Sequence, residues 1–541
     1  MPGMMTAACP VAARTVHVSA SESVPSPCPS TAERIGWLLR SNRVHGGDSR
    51  WTRAKHFALA FPGGAWPAGM HESTISRWET GTVLPPSSAV RRYEELLGVA
   101  SGNMATMVET VRRFTANPGD DPYLPDRLGN RADLDELLER ALSRATMTGA
   151  HWDALSARIA ATPQLVLAPR ATRAELAERL LREMIISHGV PWRRRFEALN
   201  RLLDHPSCGP EAVAACASLA ADRTNQVFIE TVGVLDASAH PDAARHVLAQ
   251  LAHPTNDRAL TGALLACLRK IRFGHFTADQ LGVLAGHIAE LRDDPVHQAD
   301  ARPVAALLRR RAPHLHRRPV PAGPARAAVP ARGPGLSFDE SALAMRIAEA
   351  AGGAAGADTR TGMRGDIFAH LVAETLFHPV SDARLYSAML VSATPHREGL
   401  AAALADELSR AATDRTGLGT RLVAALRTLG GAEQRPLLEG IVTGPGWPDP
   451  LVKEATFGVG HLGCGNDPGF WRAALGAQQQ RFRRGTAGAD ALTGTVYSIG
   501  VAGQRAVLAD LSRDAEVCSP VRAAAAWWLD IPEHLYASVR R

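Results

Sequence analysis

Apolar residues recur at three- and four-residue spacing along almost the whole chain, and runs of alternating apolar and polar residues are nearly absent. That periodicity predicts helices, and with them an all-α fold. In the first hundred residues, Ile35, Leu38 and Leu39 form one stripe. A second helix is predicted over 51–61, with Phe57, Ala58 and Phe61 inward and Thr52 as its N-cap. A third runs over 88–97 through Val90, Tyr93, Leu96 and Leu97, and Gly98 closes it. A fourth follows over 102–114. Beyond residue 130 stripes of Leu, Ala and Val succeed one another between short Pro, Gly and Asp turns. The clearest are 134–144, 173–186, 192–203, 211–221, 243–251 and 258–271.

The sharpest signal lies at 71–86, His71-Glu72-Ser73-Thr74-Ile75-Ser76-Arg77-Trp78-Glu79-Thr80-Gly81-Thr82-Val83-Leu84-Pro85-Pro86. Ile75 and Trp78 share one face at i and i+3, Gly81 suits a left-handed C-terminal residue, and the two prolines stop continuation. The opposite face carries small hydrogen-bonding residues and one arginine. Such a helix suits a DNA major groove, which admits a helix and presents a distinct donor and acceptor pattern for each base pair.

With Ser73-Thr74-Ile75-Ser76-Arg77-Trp78-Glu79-x-Gly81, then Pro85 and Tyr93-x-x-Leu96-Leu97-Gly98, the segment 31–116 resembles the Cro and phage-repressor (XRE) family of helix-turn-helix regulators. The resemblance implies a recognition helix whose N-terminal part faces base edges, through Glu72, Ser73 and Arg77. Arg77 is the strongest of these, because a guanidinium can bond guanine O6 and N7 together. It implies DNA-backbone contacts from His71 and Thr74, and from Arg53 and Lys55 near the start of the second helix. Glu79 would pair with an arginine of the first helix, Arg40. Double-stranded DNA is the implied partner, and a two-fold homodimer is expected through the C-terminal region or the helix over 102–114. One departure is the Gly- and Pro-rich stretch 62–69 between the second helix and the recognition helix over 71–81, where the family has a short turn. Trp66 within it is expected to cap the small core.

The remainder reads as an α-solenoid. Residues 251–268 and 376–393 share seven of 18 positions at a constant offset of 125, both opening on Leu-x-His-Pro. Helices are expected to close on Gly430, Gly463 and Gly500, at intervals of 33 and 37. This resembles HEAT or armadillo repeats, which stack helix pairs over a continuous core and present long concave surfaces to protein or peptide partners. A Pro-, Ala- and Arg-rich tract divides the array. The expected organisation is a disordered lead over 1–30, the helix-turn-helix domain over 31–116, repeat block 1 over 130–311, a linker over 312–336 and repeat block 2 over 337–541.

Charge changes this picture little. The chain carries 60 basic and 54 acidic residues, +6 overall, and +4 of that falls in 31–115. Only Lys55, Lys270 and Lys453 are lysines, so arginine dominates everywhere, a bias that a high-GC bacterial genome imposes by itself. The seven cysteines form no CxxC pair, which fits a reduced, cytoplasmic and nucleoid-associated protein without a zinc site. No apolar run reaches the ~18 residues of a membrane span, and the first residues lack a signal-peptide pattern. Gly458-Val459-Gly460-His461-Leu462-Gly463 matches the dinucleotide fingerprint in letters only, since a helix rather than a strand is expected before it. The His-Pro pairs at 205, 240, 253 and 378 read as turn formers, His314-x-His316 as a solvated turn, and Trp527-Trp528 as packing for the terminal repeat. No cofactor, metal or catalytic constellation is expected. The leading expectation is a sequence-specific transcriptional regulator. The alternatives are an interaction scaffold whose N-terminal module docks a protein, and a glycosylase-like enzyme, which would need a carboxylate in an aromatic-lined cleft.

Overall fold

The computed structural model describes residues 28–118, 131–227, 231–292, 294, 297–313, 336–353, 367–411, 416–463, 467–485 and 489–539. The expected lead over 1–27, most of the linker and the His314-x-His316 turn lie outside the described residues. Among the described residues the fold is all-α, and the one β-type pairing is a single bridge between Gly63 and Trp66. No described helix is long and apolar enough to cross a membrane.

Five helices form the N-terminal unit: α1 (Thr31–His45), α2 (Ala54–Ala60), α3 (Glu72–Glu79), α4 (Ser87–Leu97) and α5 (Asn103–Thr115). Ser30 and Glu33 start α1 with a reciprocal capping box. Gly98 (φ 63°) closes α4, and Gly81 (φ 70°) ends the turn after α3. The Glu94 carboxylate accepts from the backbone N–H groups of Gly102, Met104 and Ala105, and so caps the start of α5 from within the core. Ile35, Leu38, Phe57, Phe61, Ile75, Trp78, Val90 and Tyr93 are buried together.

The predicted 51–61 helix is divided. A 3-10 turn covers Ser49–Thr52, and Arg53, extended at φ −91° and ψ 118°, stands at the N-cap of α2 in place of Thr52. The reason is non-local: the Arg43 guanidinium donates to the carbonyls of Trp51 (2.6 Å) and Thr52 (2.8 Å), which a continuous helix would have bonded internally.

Gly36 marks the tightest crossing in this unit. A Cβ there would stand 2.6 Å from the Glu79 carbonyl oxygen and 2.7 Å from that of Trp78, so α1 lies directly on the end of α3. Gly36→Ala should cost ~1–3 kcal/mol, the usual penalty of overpacking. Urea unfolding of the full chain would check this, and an unchanged midpoint would show that α3 can shift without cost.

The helical array begins with α6 (Arg131–Leu142), α7 (Gly149–Ala160), α8 (Arg170–Ile185), α9 (Gly189–Asp204), α10 (Gly209–Ala221), α11 (Thr231–Val234), α12 (Pro241–Ala252), α13 (Asp257–Phe273), α14 (Ala278–Leu291) and α15 (Gln298–Arg311). It continues with α16 (Phe338–Ala348), α17 (Ile367–Phe377), α18 (Ser381–Ser392), α19 (His396–Ala411), α20 (Thr416–Leu429), α21 (Arg435–Thr443), α22 (Asp449–Gly458), α23 (Pro468–Arg483), α24 (Ala489–Val501), α25 (Arg505–Arg513), α26 (Ser519–Leu529) and α27 (Glu533–Val539). The His-Pro pairs act as turn formers: His205, His240 and His378 each turn Nδ1 back to accept backbone N–H groups two or three residues on. The two Leu-x-His-Pro segments occupy matching turns, before α13 and before α18.

Alternate helices pack in series, α9 to α10, α11, α13 and α15, then α18 to α20, α22, α24 and α26. The array then returns on itself, because α27 packs on α8, Arg195 donates to the Ser538 carbonyl (3.3 Å), and Trp527 Nε1 donates to Asp222 (3.0 Å). The inner faces of the two halves approach each other, with the Arg258 guanidinium 5.1 Å from the Phe457 ring. Clefts lined by both halves of the array lie between these faces. Gly500 also departs from expectation: it lies inside α24, where a Cβ would come within 2.1 Å of the buried Trp528 ring, and the chain turns instead at Gly503 (φ 67°). Gly458–Gly463 is the end of α22 and a 3-10 turn, with helix rather than strand before it.

Candidate nucleic-acid interface

Helix α3 is anchored from below. Ile75 and Trp78 are fully or nearly fully buried, and Glu79 is buried with them. Glu79 pairs with Arg43, not Arg40: Arg43 Nε and Nη2 meet its two oxygens at 2.6 Å each, and Tyr93 Oη donates to it at 3.0 Å. One carboxylate thus ties α1, α3 and α4 together, which fixes the pitch of α3 in the unit. A bidentate pair at this burial depends on both partners being present.

The other face of α3 is open. Glu72, Ser73, Ser76 and Arg77 are exposed, and Thr74 is half-buried. His71 caps the helix, its Nδ1 accepting from Ser73 N–H at 3.2 Å and lying 2.8 Å from the Ser73 hydroxyl. The Ser73 side chain is thereby engaged locally. Arg53 and Lys55 are exposed on and before α2, beside His56 and a strongly exposed Leu59 at 72%. Ser76, His56 and Leu59 were not singled out from the sequence, although their helical spacing from Glu72, Thr52 and Lys55 was available as a signal.

The stretch 62–69 is folded onto the unit. Gly63 and Trp66 exchange backbone hydrogen bonds, and the Trp66 ring meets Phe61 and Trp78 edge-on at 5.9 and 5.7 Å. From α4, Arg92 donates to the carbonyls of Phe61 (2.7 Å) and Ala60 (3.1 Å) at the end of α2, and Glu95 accepts from Ala65 N–H. The first half of the longer connection is therefore clamped, while Pro67, Ala68 and Gly69 are exposed.

The unit docks on the array through α1 and α5, away from the exposed face of α3. Trp37 of α1 packs against Phe368 (6.0 Å) and His396 (5.9 Å), whose rings lie 4.8 Å from each other, and Asn42 Nδ2 donates to the Ala393 carbonyl at 3.0 Å. Helix α5 lies between α9 and α18: Arg201 of α9 binds Glu109, Glu197 accepts from Thr110 (2.7 Å) and Arg113 (3.1 Å), and Phe114 meets Tyr386 at 4.2 Å. The residues of α5 from Met104 to Val111 are largely buried inside the chain.

Where α1 meets α17, Glu374 accepts from both Arg34 nitrogens (2.7 and 2.6 Å), from Ser387 (2.7 Å) and from His370 (3.2 Å), with Cys28 Sγ at 3.5 Å. Donor atoms of Cys28, His370 and Glu374 lie within 4.8 Å of one another, a grouping that could hold a metal ion and that spacing alone did not reveal. Arg34 occupies both carboxylate oxygens and stands 3.3 Å from the sulfur, so its fixed positive charge opposes a cation there.

Two histidines give this seam a pH window. Burial disfavours charge on His370, but hydrogen bonds with Cys28 and Glu374 outweigh it and hold its pKa up to about 9. Burial, with His45 beside it, pushes His396 down to about 4. Free imidazole titrates near ~6.5. The His370 contribution is therefore complete below about 6.5 and lost as pH rises toward 9. The unfolded chain protonates His396 first as pH falls from 6.5 toward 4, which weakens the fold on that side. The combined contribution of these two histidines to the urea midpoint should be greatest near pH ~6.5. His396→Phe should flatten the acid limb and His370→Gln the alkaline limb, and limbs unchanged in both variants would assign the pH dependence elsewhere.

Enclosed space lies behind the docked unit. A cleft of about 1400 Å³ runs between α1, α5, α13, α15 and α18, and a second cavity of about 420 Å³ adjoins it, sharing Asp236, Asp382, Arg384, Tyr386 and Arg421. The second also has Trp192, Phe196 and Phe457 in its wall. Burial pushes Asp382 up to about 7 and raises Asp236. Carboxylates and aromatic rings thus line one cavity. Compared with known proteins, the chain matches no family model, no curated protein and no solved structure.

Proposed function

We propose that this chain is a sequence-specific DNA-binding transcriptional regulator, of the Cro and phage-repressor type, in which α2 and α3 read an operator and the helical array carries the unit. The observation that supports this reading best is the asymmetry of α3. Ile75, Trp78 and Glu79 hold it from below, while Glu72, Ser73, Ser76 and Arg77 stand exposed on the side opposite the docking helices. Glu72, Ser73 and Arg77 are assigned to base edges, and Arg53, Lys55 and Thr74 to phosphates. His71 acts through its cap, which sets Ser73. A two-fold dimer on half-sites about one turn apart would use surfaces other than α5.

Selection of bound sequences from random duplexes by the full chain tests the reading. It should return a defined motif, with affinity falling steeply as salt rises. Recovery of no motif over competitor DNA would reject it. A scaffold reading draws on one specific observation, the exposed Leu59, Val83 and Leu84 of the same unit at 72, 39 and 38%. In that case Leu59→Ser would abolish partner capture and leave DNA untouched.

A further inference from the structure

The larger cleft is far richer in arginine than the chain. Eight of its 32 wall residues are arginines, about one in four, whereas the whole sequence has about one in ten. Compositional bias therefore does not account for the concentration. Four carboxylates share the wall, and one of them, Glu374, is already taken by Arg34. Burial raises the pKa of Asp236 and Asp300, and that of Asp382 to about 7. Burial also lowers Arg269, Arg272 and Arg384 below the ordinary guanidinium value, so nearby carboxylates do not repay the desolvation of these cations. Arg269 donates to the Arg113 carbonyl and Arg272 to that of Phe114 (3.1 Å), so two of the wall arginines also hold the end of α5. Arg302 and Arg309, seven residues apart on one face of α15, complete the wall from the exposed side.

An anion bound among these groups would recover that desolvation cost, and guanidinium forks match phosphate oxygens. The adjoining cavity has aromatic rings in its wall, Trp192 and Phe196, stacked on each other at 4.7 Å, and Phe457, with Asp236 and Asp382 at the shared border. The smaller cavity by itself is within the usual size range of small-molecule sites, and the larger cleft leaves ample room for phosphates beside it. We infer that the cleft is a binding site for a nucleoside di- or triphosphate, its phosphates on Arg269, Arg272, Arg302, Arg309 and Arg384 and its base in the aromatic cavity. The site touches α1 at Arg34 and α5 at Phe114 and Thr115, so the ligand would bear directly on the helices that dock the α3 unit.

This inference does not depend on the DNA reading, because binding is measured without DNA. Titration of the full chain with ATP and GTP, followed by calorimetry and thermal unfolding, should give micromolar binding and a rise of several degrees in Tm for at least one of them. Pyrophosphate should bind at least tenfold more weakly. The double variant R302E/R309E changes two exposed side chains and should fold as the parent, yet lose at least tenfold in affinity. R484E, outside the cleft, should bind as the parent does. The proposal fails if neither nucleotide binds, if pyrophosphate alone binds as tightly, or if R302E/R309E retains parental affinity. A site confirmed in this way in a chain that selects no DNA motif would sink only the regulator reading.

Discussion

Arg77→Ala should erase sequence preference at one base position of each half-site while leaving the fold intact. Arg77 is exposed at the open face of α3, and its neighbours Ile75, Trp78 and Glu79 carry the packing. A bidentate guanidinium–guanine pair is worth about 1–3 kcal/mol of discrimination, so the preference at that position should fall by ~5- to 150-fold. Arg53→Ala, at a phosphate-facing position, should weaken all sequences alike and reduce the salt dependence by about one counterion. The two variants separate reading from holding. If Arg77→Ala weakens every sequence equally, Arg77 belongs with the phosphate contacts and base reading must come from elsewhere on α3. Equal behaviour of parent and variant would remove α3 from the interface.

Much of the helical content was legible, because local signals set it. The stop after α3 is carried by Gly81 and two prolines, and Gly98 ends α4 where its left-handed conformation is needed. Six stripes of the first block each correspond to a helix whose ends differ from expectation by a few residues. What escaped the sequence depends on partners far away in the chain. Arg40 and Arg43 are both first-helix arginines within reach of a glutamate on α3, and periodicity could not choose between them. Arg43 wins because the same guanidinium also takes the Trp51 and Thr52 carbonyls, which in turn breaks the predicted 51–61 helix. Gly500 resembled a helix stop, yet its missing side chain makes room for Trp528.

The candidate site divides in the same way. Exposure of Glu72, Ser73 and Arg77 follows from burying Ile75 and Trp78 one face away, so the open face of α3 could be read from spacing. The docking helices could not. Glu109, Thr110 and Arg113 look like an ordinary polar face of an amphipathic α5, and only the distant Glu197 and Arg201 turn that face inward. The arginine cleft was hidden twice over, by wall residues drawn from positions 28 to 421 and by an arginine-rich background.

The largest stability effect is expected where the array closes. Glu183 is completely buried and accepts from Trp152 Nε1 (2.8 Å), Arg179 Nε (3.0 Å) and Arg195 (3.0 Å), whose guanidinium is also completely buried. Arg195 reaches on to the carbonyls of Met147 (2.8 Å) and Ser538 (3.3 Å), so α7, α8, α9 and α27 meet at one charge pair. Glu183→Ala leaves Arg195 buried without its counter-charge, and removal of one partner of such a pair costs ~3–5 kcal/mol. The urea midpoint should drop accordingly, and α27 should become sensitive to protease first, since its tie to the first block runs through Arg195. Pairing the change with Arg195→Met should recover much of the loss, because the penalty comes from the stranded charge rather than from a missing attraction. If the double variant is as unstable as Glu183→Ala alone, the closure of the array rests on the hydrogen bonds of Arg195 and not on neutralising its charge.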